Sequence, residues 1–101
     1  MANPIAGQLV RILNVDASHS GFQDLSGALI DPSVVTLIVK DALGVTTTYT
    51  YPANIIKDST GVYHFDVDTT GKAGLWTYAW KATGTGQAYV WNTFTVDPAP
   101  L

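Results

Sequence analysis

At 101 residues the chain has room for one domain and not for two. Apolar residues make up 47% of it and charged residues only 13%, so its surface must be built largely from Thr, Ser, Asn, Gly and exposed apolar groups, a composition that suits a protein partly covered by neighbours as well as a Thr-rich soluble monomer. The net charge is −3, with eight Asp, no Glu, and five bases (Arg11, Lys40, Lys57, Lys72, Lys81) scattered singly; nucleic acid and anionic membrane are therefore excluded as expected partners, because both need clustered cations.

There is no cysteine, so neither a disulfide nor a thiolate metal site can staple the fold, and packing alone must hold it. The same absence leans toward a protein folded in a cytoplasm. Residues Met1 to Gln8 contain no basic n-region and no apolar h-region, so no signal peptide is visible. The longest apolar stretch, Val34 to Val39, is interrupted by Thr36 and is far too short to cross a bilayer.

In chain order, short β-branched and aromatic runs recur between Gly, Asp, Asn and Pro, with no 3.6-residue periodicity anywhere. The first predicted strand covers Gln8 to Asn14. A second, less regular one is expected within Phe22 to Leu29. A third runs from Val34 to Lys40, and the turn Asp41-Ala42-Leu43-Gly44 leads into a fourth from Val45 to Tyr51. Pro52-Ala53-Asn54 ends that strand, and Ile55-Ile56-Lys57 approaches the turn Asp58-Ser59-Thr60-Gly61. The fifth strand spans Val62 to Val67. After the loop Asp68 to Gly74 come two long strands, Leu75 to Thr83 and Gln87 to Val96, joined by Gly84-Thr85-Gly86, whose glycines are free to take positive φ. Seven such runs predict an all-β, immunoglobulin-like sandwich of antiparallel strands, with residues 1–7 as an N-terminal arm, 8–96 as the domain and 97–101 as a C-terminal tail.

Alternation assigns the faces. Trp76, Tyr78 and Trp80 share one face of their strand and Thr77, Ala79 and Lys81 the other; the aromatic trio belongs inside, because Lys81 is not expected to be buried unpaired. Tyr63, Phe65 and Val67 point inward, while His64, Asp66 and Asp68 point outward. In the last strand Ala88, Val90, Phe94 and Val96 form the inward set, which leaves Tyr89, Trp91, Thr93 and Thr95 outside.

Three stretches carry a familiar pattern. Ala73-Gly74-Leu75-Trp76-Thr77-Tyr78 resembles the A-G-x-Y-x-C signature of immunoglobulin domains, with Trp76 at the corner aromatic position and Tyr78 where the disulfide cysteine would stand. Together with Lys57-Asp58-Ser59-Thr60-Gly61-Val62-Tyr63-His64-Phe65 and with the run from Phe22 through Asp24, Gly27, Leu29, Asp31 and Pro32 to Leu37, the chain resembles short Ig-like proteins found among tailed-bacteriophage virion genes. The resemblance covers about residues 10–96, and its motifs are signatures of fold. It implies a non-enzymatic virion structural protein: a capsid decoration or cement protein, or an accessory protein of the neck or tail. The implied partners are other virion proteins, the major capsid protein among them, and the implied location is the virion, assembled in the host cytoplasm. Low surface charge would also permit a homo-oligomer.

Catalysis has little to work with. Ser18, His19 and Asp16 are crowded into one loop without a nucleophile elbow or oxyanion motif, which reads as a solvated polar loop. Asp66 with Asp68, or Asp16 with Asp24, would have to supply the paired carboxylates of a glycosidase, and nothing around them predicts a raised pKa. His64, Asp66 and Asp68 could present ligands on one strand face, but His is an unusual Ca²⁺ ligand and Zn²⁺ would need a fourth group; an ordinary polar face is expected, and no metal or cofactor. Gly84-Thr85-Gly86 lacks the Lys and helix of a phosphate loop.

The candidate binding residues are Tyr89 and Trp91. A pair of outward aromatics on one strand suits a protein contact, and aromatic faces also stack on sugar rings, so a glycan is the alternative ligand. A bulge in the strand would instead turn Trp91 into the core. The two termini, Met1 to Ala6 and Asp97 to Leu101, are expected as extended arms able to lie along a neighbouring subunit.

Overall fold

A computed structural model describes residues 3–15, 21–84 and 88–100. Seven strands form in order: β1 (Leu9–Leu13), β2 (Val34–Lys40), β3 (Thr46–Thr50), β4 (Ile56–Ser59), β5 (Val62–Asp68), β6 (Gly74–Thr83) and β7 (Ala88–Val96). They build a three-stranded sheet, β1-β5-β4, and a four-stranded sheet, β3-β2-β6-β7, all pairs antiparallel. The fold is an all-β, immunoglobulin-like sandwich.

The two sheets meet through their inward side chains. Ile12, Val67 and Tyr63 of the smaller sheet pack with Val35, Leu37, Val39, Trp76, Trp80, Val90 and Val96 of the larger one. Tyr49 of β3 stacks on Phe65 of β5, centroids 4.1 Å apart, and bridges the sheets at one edge. Trp80 is fully buried, edge-on to Phe22 at 6.5 Å; among the described residues its indole N–H finds no acceptor. The inward assignment of Trp76 and Trp80 holds, while Tyr78 is only partly buried because Asn92, its partner on β7, is exposed and leaves that side open.

Trp76 also anchors the loop that leads into β6. Its Nε1–H donates to Lys72 O at 2.9 Å, four residues upstream, so the indole fixes the loop before β6 as a tyrosine hydroxyl does in other immunoglobulin-like folds.

The segment Phe22 to Leu29 is not a strand. It contains a single bridge, Gln23 with Leu29, and is organised by Asp24, whose Oδ1 accepts from the N–H groups of Ser26 and Ala28 and from the Ser26 hydroxyl. An Asp that satisfies its own downstream amides competes with a ladder, and the chain turns. The seventh strand is instead Ile56–Ser59, which pairs with β5 across an irregularity between Lys57 and Ser59.

The loop before β2 and the β4–β5 turn converge on Gly61. Its N–H donates to Asp31 Oδ1 at 2.9 Å, and its carbonyl accepts from Asn14 Nδ2 at 2.8 Å and from Phe22 N at 2.9 Å. Asn14, fully buried, closes the cluster by accepting from Tyr63 N at 3.0 Å. A Cβ on Gly61, where φ is +75°, would lie 2.8 Å from Phe22 O and 3.0 Å from Ile30 O; only glycine fits.

The N-terminal arm is engaged by its own chain. Ile5 and Asp97 form a parallel bridge, with Ala6 N donating to Asp97 O and Asp97 N to Pro4 O, each at 2.8 Å. Residues 4–6 thus pair with Asp97, just past the C-terminal end of β7.

Candidate functional site

The outer face of the four-stranded sheet is ordered by its register. One row across it reads Thr48, Ile38, Ala79, Trp91; the row above reads Thr50, Thr36, Lys81, Tyr89; the row below reads Thr46, Lys40, Thr77, Thr93. Threonine suits such positions, because its branched Cβ favours extended backbone while its hydroxyl tolerates solvent. Tyr89 and Trp91 both stand on this face, 61% and 64% exposed, two residues and so about 7 Å apart. The β6–β7 register runs without a shift from Gly74 to Ala82, so no bulge turns Trp91 inward.

Ala79 is only 8% exposed although its side chain points outward. Its small size makes the floor of the face, with Ile38 and Trp91 as its neighbours in the row. Beside it lies a shallow depression of about 210 Å³ bordered by Ile38, Lys40, Thr46, Thr77, Ala79 and Tyr89. The contact chemistry on offer is therefore an aromatic pair, an apolar floor, threonine hydroxyls and two ammonium groups.

The opposite face, on the smaller sheet, gathers the other polar candidates and consumes them. Asp66 takes a two-point contact from Arg11, Nε to Oδ1 at 2.9 Å and Nη2 to Oδ2 at 3.1 Å. That contact holds the Asp66 carboxyl below its usual pKa and raises that of Arg11. His64 is nearly buried, and its Nδ1 lies 2.7 Å from Asp58 Oδ2 and 2.8 Å from Oδ1; a carboxylate only accepts, so Nδ1 carries the proton. Asp68 accepts from the Thr70 hydroxyl and N–H, which lower its pKa. Among the described residues no group of three or more His or Asp side chains is placed to hold a metal ion. His64, Asp66 and Asp68 do share a strand face, but each is turned to a different partner.

Two further clusters are structural. Asp31 accepts from Lys57 Nζ at 2.7 Å, from Gly61 N and from the Tyr63 hydroxyl at 3.0 Å, and its pKa is lowered, chiefly by Lys57. Burial, reinforced by that hydrogen bond, pushes the Tyr63 phenol up to about 12. At the other end of the sandwich Asp41 borders a cleft of about 200 Å³ with Lys72, Thr47, Tyr49 and Trp76. Burial alone would raise the Asp41 carboxyl, but the N–H groups of Val45 and Leu43 and the Lys72 ammonium at 3.4 Å outweigh it and lower its pKa. With these donors the Asp41 carboxylate is already satisfied.

Asp16, Ser18 and His19 lie outside the described residues, as do Thr85 and Gly86 of the last hairpin. Asp24 is bound up in its own turn. Sequence reasoning picked out Tyr89 and Trp91 but missed Ile38, Ala79, Lys40 and Lys81; alternation already put Ala79 and Lys81 on outward positions, but only the register sets all four on the face of the aromatic pair. Comparison with family models, with curated proteins and with solved structures finds no match to this chain.

Proposed function

We propose that this protein is a non-enzymatic attachment module of a virion, a decoration or cement protein that binds other virion proteins through the outer face of its four-stranded sheet. One observation carries the reading: Tyr89 and Trp91 stand exposed side by side next to an apolar floor, on a face that the described residues leave uncovered. Large rigid aromatics exposed on a sheet face are the usual anchors of protein contacts. The resemblance in the fold-bearing motifs supplies the virion setting, and attachment at many equivalent lattice points would let a small contact suffice. The same face would serve a neck or tail position.

The second reading, a carbohydrate-binding adhesin-type module, is favoured by the depression beside Tyr89, whose threonine hydroxyls and aromatic wall suit a sugar ring. Co-sedimentation of Trp91→Ala and Tyr89→Ala with virion shells, set beside their retention on glycan arrays, separates the two. Loss of shell binding supports attachment to protein; loss of glycan retention with shell binding intact supports the adhesin. Wild-type protein that binds neither shells nor glycans refutes both.

A further inference from the structure

The cations of this chain are divided in an informative way. Arg11 is paired with Asp66, Lys57 with Asp31 and Lys72 with Asp41. The remaining two, Lys40 and Lys81, make no ion pair among the described residues, and both stand on the outer face of the four-stranded sheet. No carboxylate occupies a strand position on that face. Asp97 lies beyond the end of β7, six residues past Trp91, beside Asn3 Nδ2 at 3.3 Å. On a molecule of net charge −3, the described residues of this face thus form a locally cationic surface.

The placement of the two lysines adds geometry. Lys40 pairs with Thr77, and Lys81 lies four residues further along β6. At about 3.3 Å per residue and about 4.8 Å between strands, their backbones are about 14 Å apart. The row of Ile38, Ala79 and Trp91 runs between them. Two positive charges therefore flank an apolar strip with an aromatic anchor.

We infer that the partner of this face is an acidic protein surface, which sets one carboxylate opposite Lys40 and another opposite Lys81, on either side of an apolar contact that covers Trp91. This deepens the attachment reading above and rests on it. Opposite charges at this spacing fix the register of docking and speed encounter more than they add to affinity, while the apolar strip supplies the larger share of the contact energy. A basic or neutral partner would leave both ammonium groups facing no compensating charge. A second copy presenting the same face would bring four lysines together, which disfavours a symmetric dimer on this surface.

The test measures binding of the full chain to purified virion shells between 50 and 300 mM NaCl, for wild type, Lys40→Glu, Lys81→Glu, the double variant and Trp91→Ala. Leu25→Glu, on a fully exposed side chain in the Asp24 turn, adds negative charge away from the face as a control. The expected result is wild-type binding that weakens with salt, about tenfold weaker binding for each reversal at low salt, a larger loss in the double variant, and no change for Leu25→Glu. If the double reversal binds like wild type while Trp91→Ala is lost, attachment through the face stands and the acidic partner is refuted. If Trp91→Ala also binds like wild type, the attachment reading fails with it. A self-associated species in sedimentation that both reversals dissolve would replace the acidic partner with a second copy, and thereby overturn the inference.

Discussion

On the outer face of the three-stranded sheet Arg11 grips Asp66, His64 leans on Asp58 and Asp68 is held by Thr70. On the outer face of the four-stranded sheet Lys40, Lys81, Tyr89 and Trp91 face solvent, and neither lysine has an ion-pair partner among the described residues. Both faces obey the same two-residue alternation, and both carry apolar and charged side chains. They differ in whether the charges are satisfied within the chain. A face whose ionic groups are already paired offers a partner little, whereas one whose cations and aromatics are unengaged can give all of its interaction energy to a contact. Exposure alone does not separate the two, since Leu9 and Ile56 are exposed on the closed face as well.

The largest effect that would break this contrast lies beneath the closed face. Gly61→Ala forces a Cβ against Phe22 O at a positive φ and should destabilise the protein by more than about 3 kcal/mol in chemical denaturation; a variant as stable as wild type would mean that the cluster around Gly61 is not the clamp described. Asn14→Ala leaves the Gly61 carbonyl and the Tyr63 amide short of a buried partner, for an expected loss of about 2–3 kcal/mol measured the same way.

Acid comes next. The carboxyls of Asp31, Asp41 and Asp66 have depressed pKa values in the folded state, so their contribution is complete above the unfolded value near 4 and is lost as pH falls through the lower folded values. Denaturation midpoints should hold from pH 7 to about pH 5 and then fall; Asp31→Asn should make that fall shallower. Tyr63 works in the opposite sense. Its phenol is raised from 10.0 to about 12, so its contribution is present below pH 10 and disappears between pH 10 and about 12, a slope that Tyr63→Phe should remove.

The smallest stability effects are expected where binding effects are greatest. Trp91→Ala and Tyr89→Ala should shift stability by less than about 1 kcal/mol, because both rings are mostly in solvent. A large loss in either would show that the open face is part of the core and would dissolve the contrast between the sheets.

Much of this was legible in the alternation. The inward sets of β5, β6 and β7, and with them the outward pair Tyr89 and Trp91, follow from a period of two that packing then enforces. The strand-like composition of Phe22 to Leu29 misled, because Asp24 satisfies three donors locally and Phe22 N bonds to the Gly61 carbonyl rather than to a neighbouring strand. The short β4 was hidden for the converse reason: Ile56–Ser59 has little strand character of its own and pairs because β5 lies beside it.

By itself the sequence determined the fold class, the faces of the long strands and the pair of exposed aromatics, all of which depend on local pattern. Only the tertiary structure decided which charges are left over. Arg11 meets Asp66 across 55 positions, Lys57 meets Asp31 across 26, and Lys72 meets Asp41 across the sandwich end. Ion pairing depends on distance in space, which strand order and register set and which no local periodicity encodes. Lys40 and Lys81 look like any other lysines in the chain until the register places them together, on either side of Ile38 and Ala79.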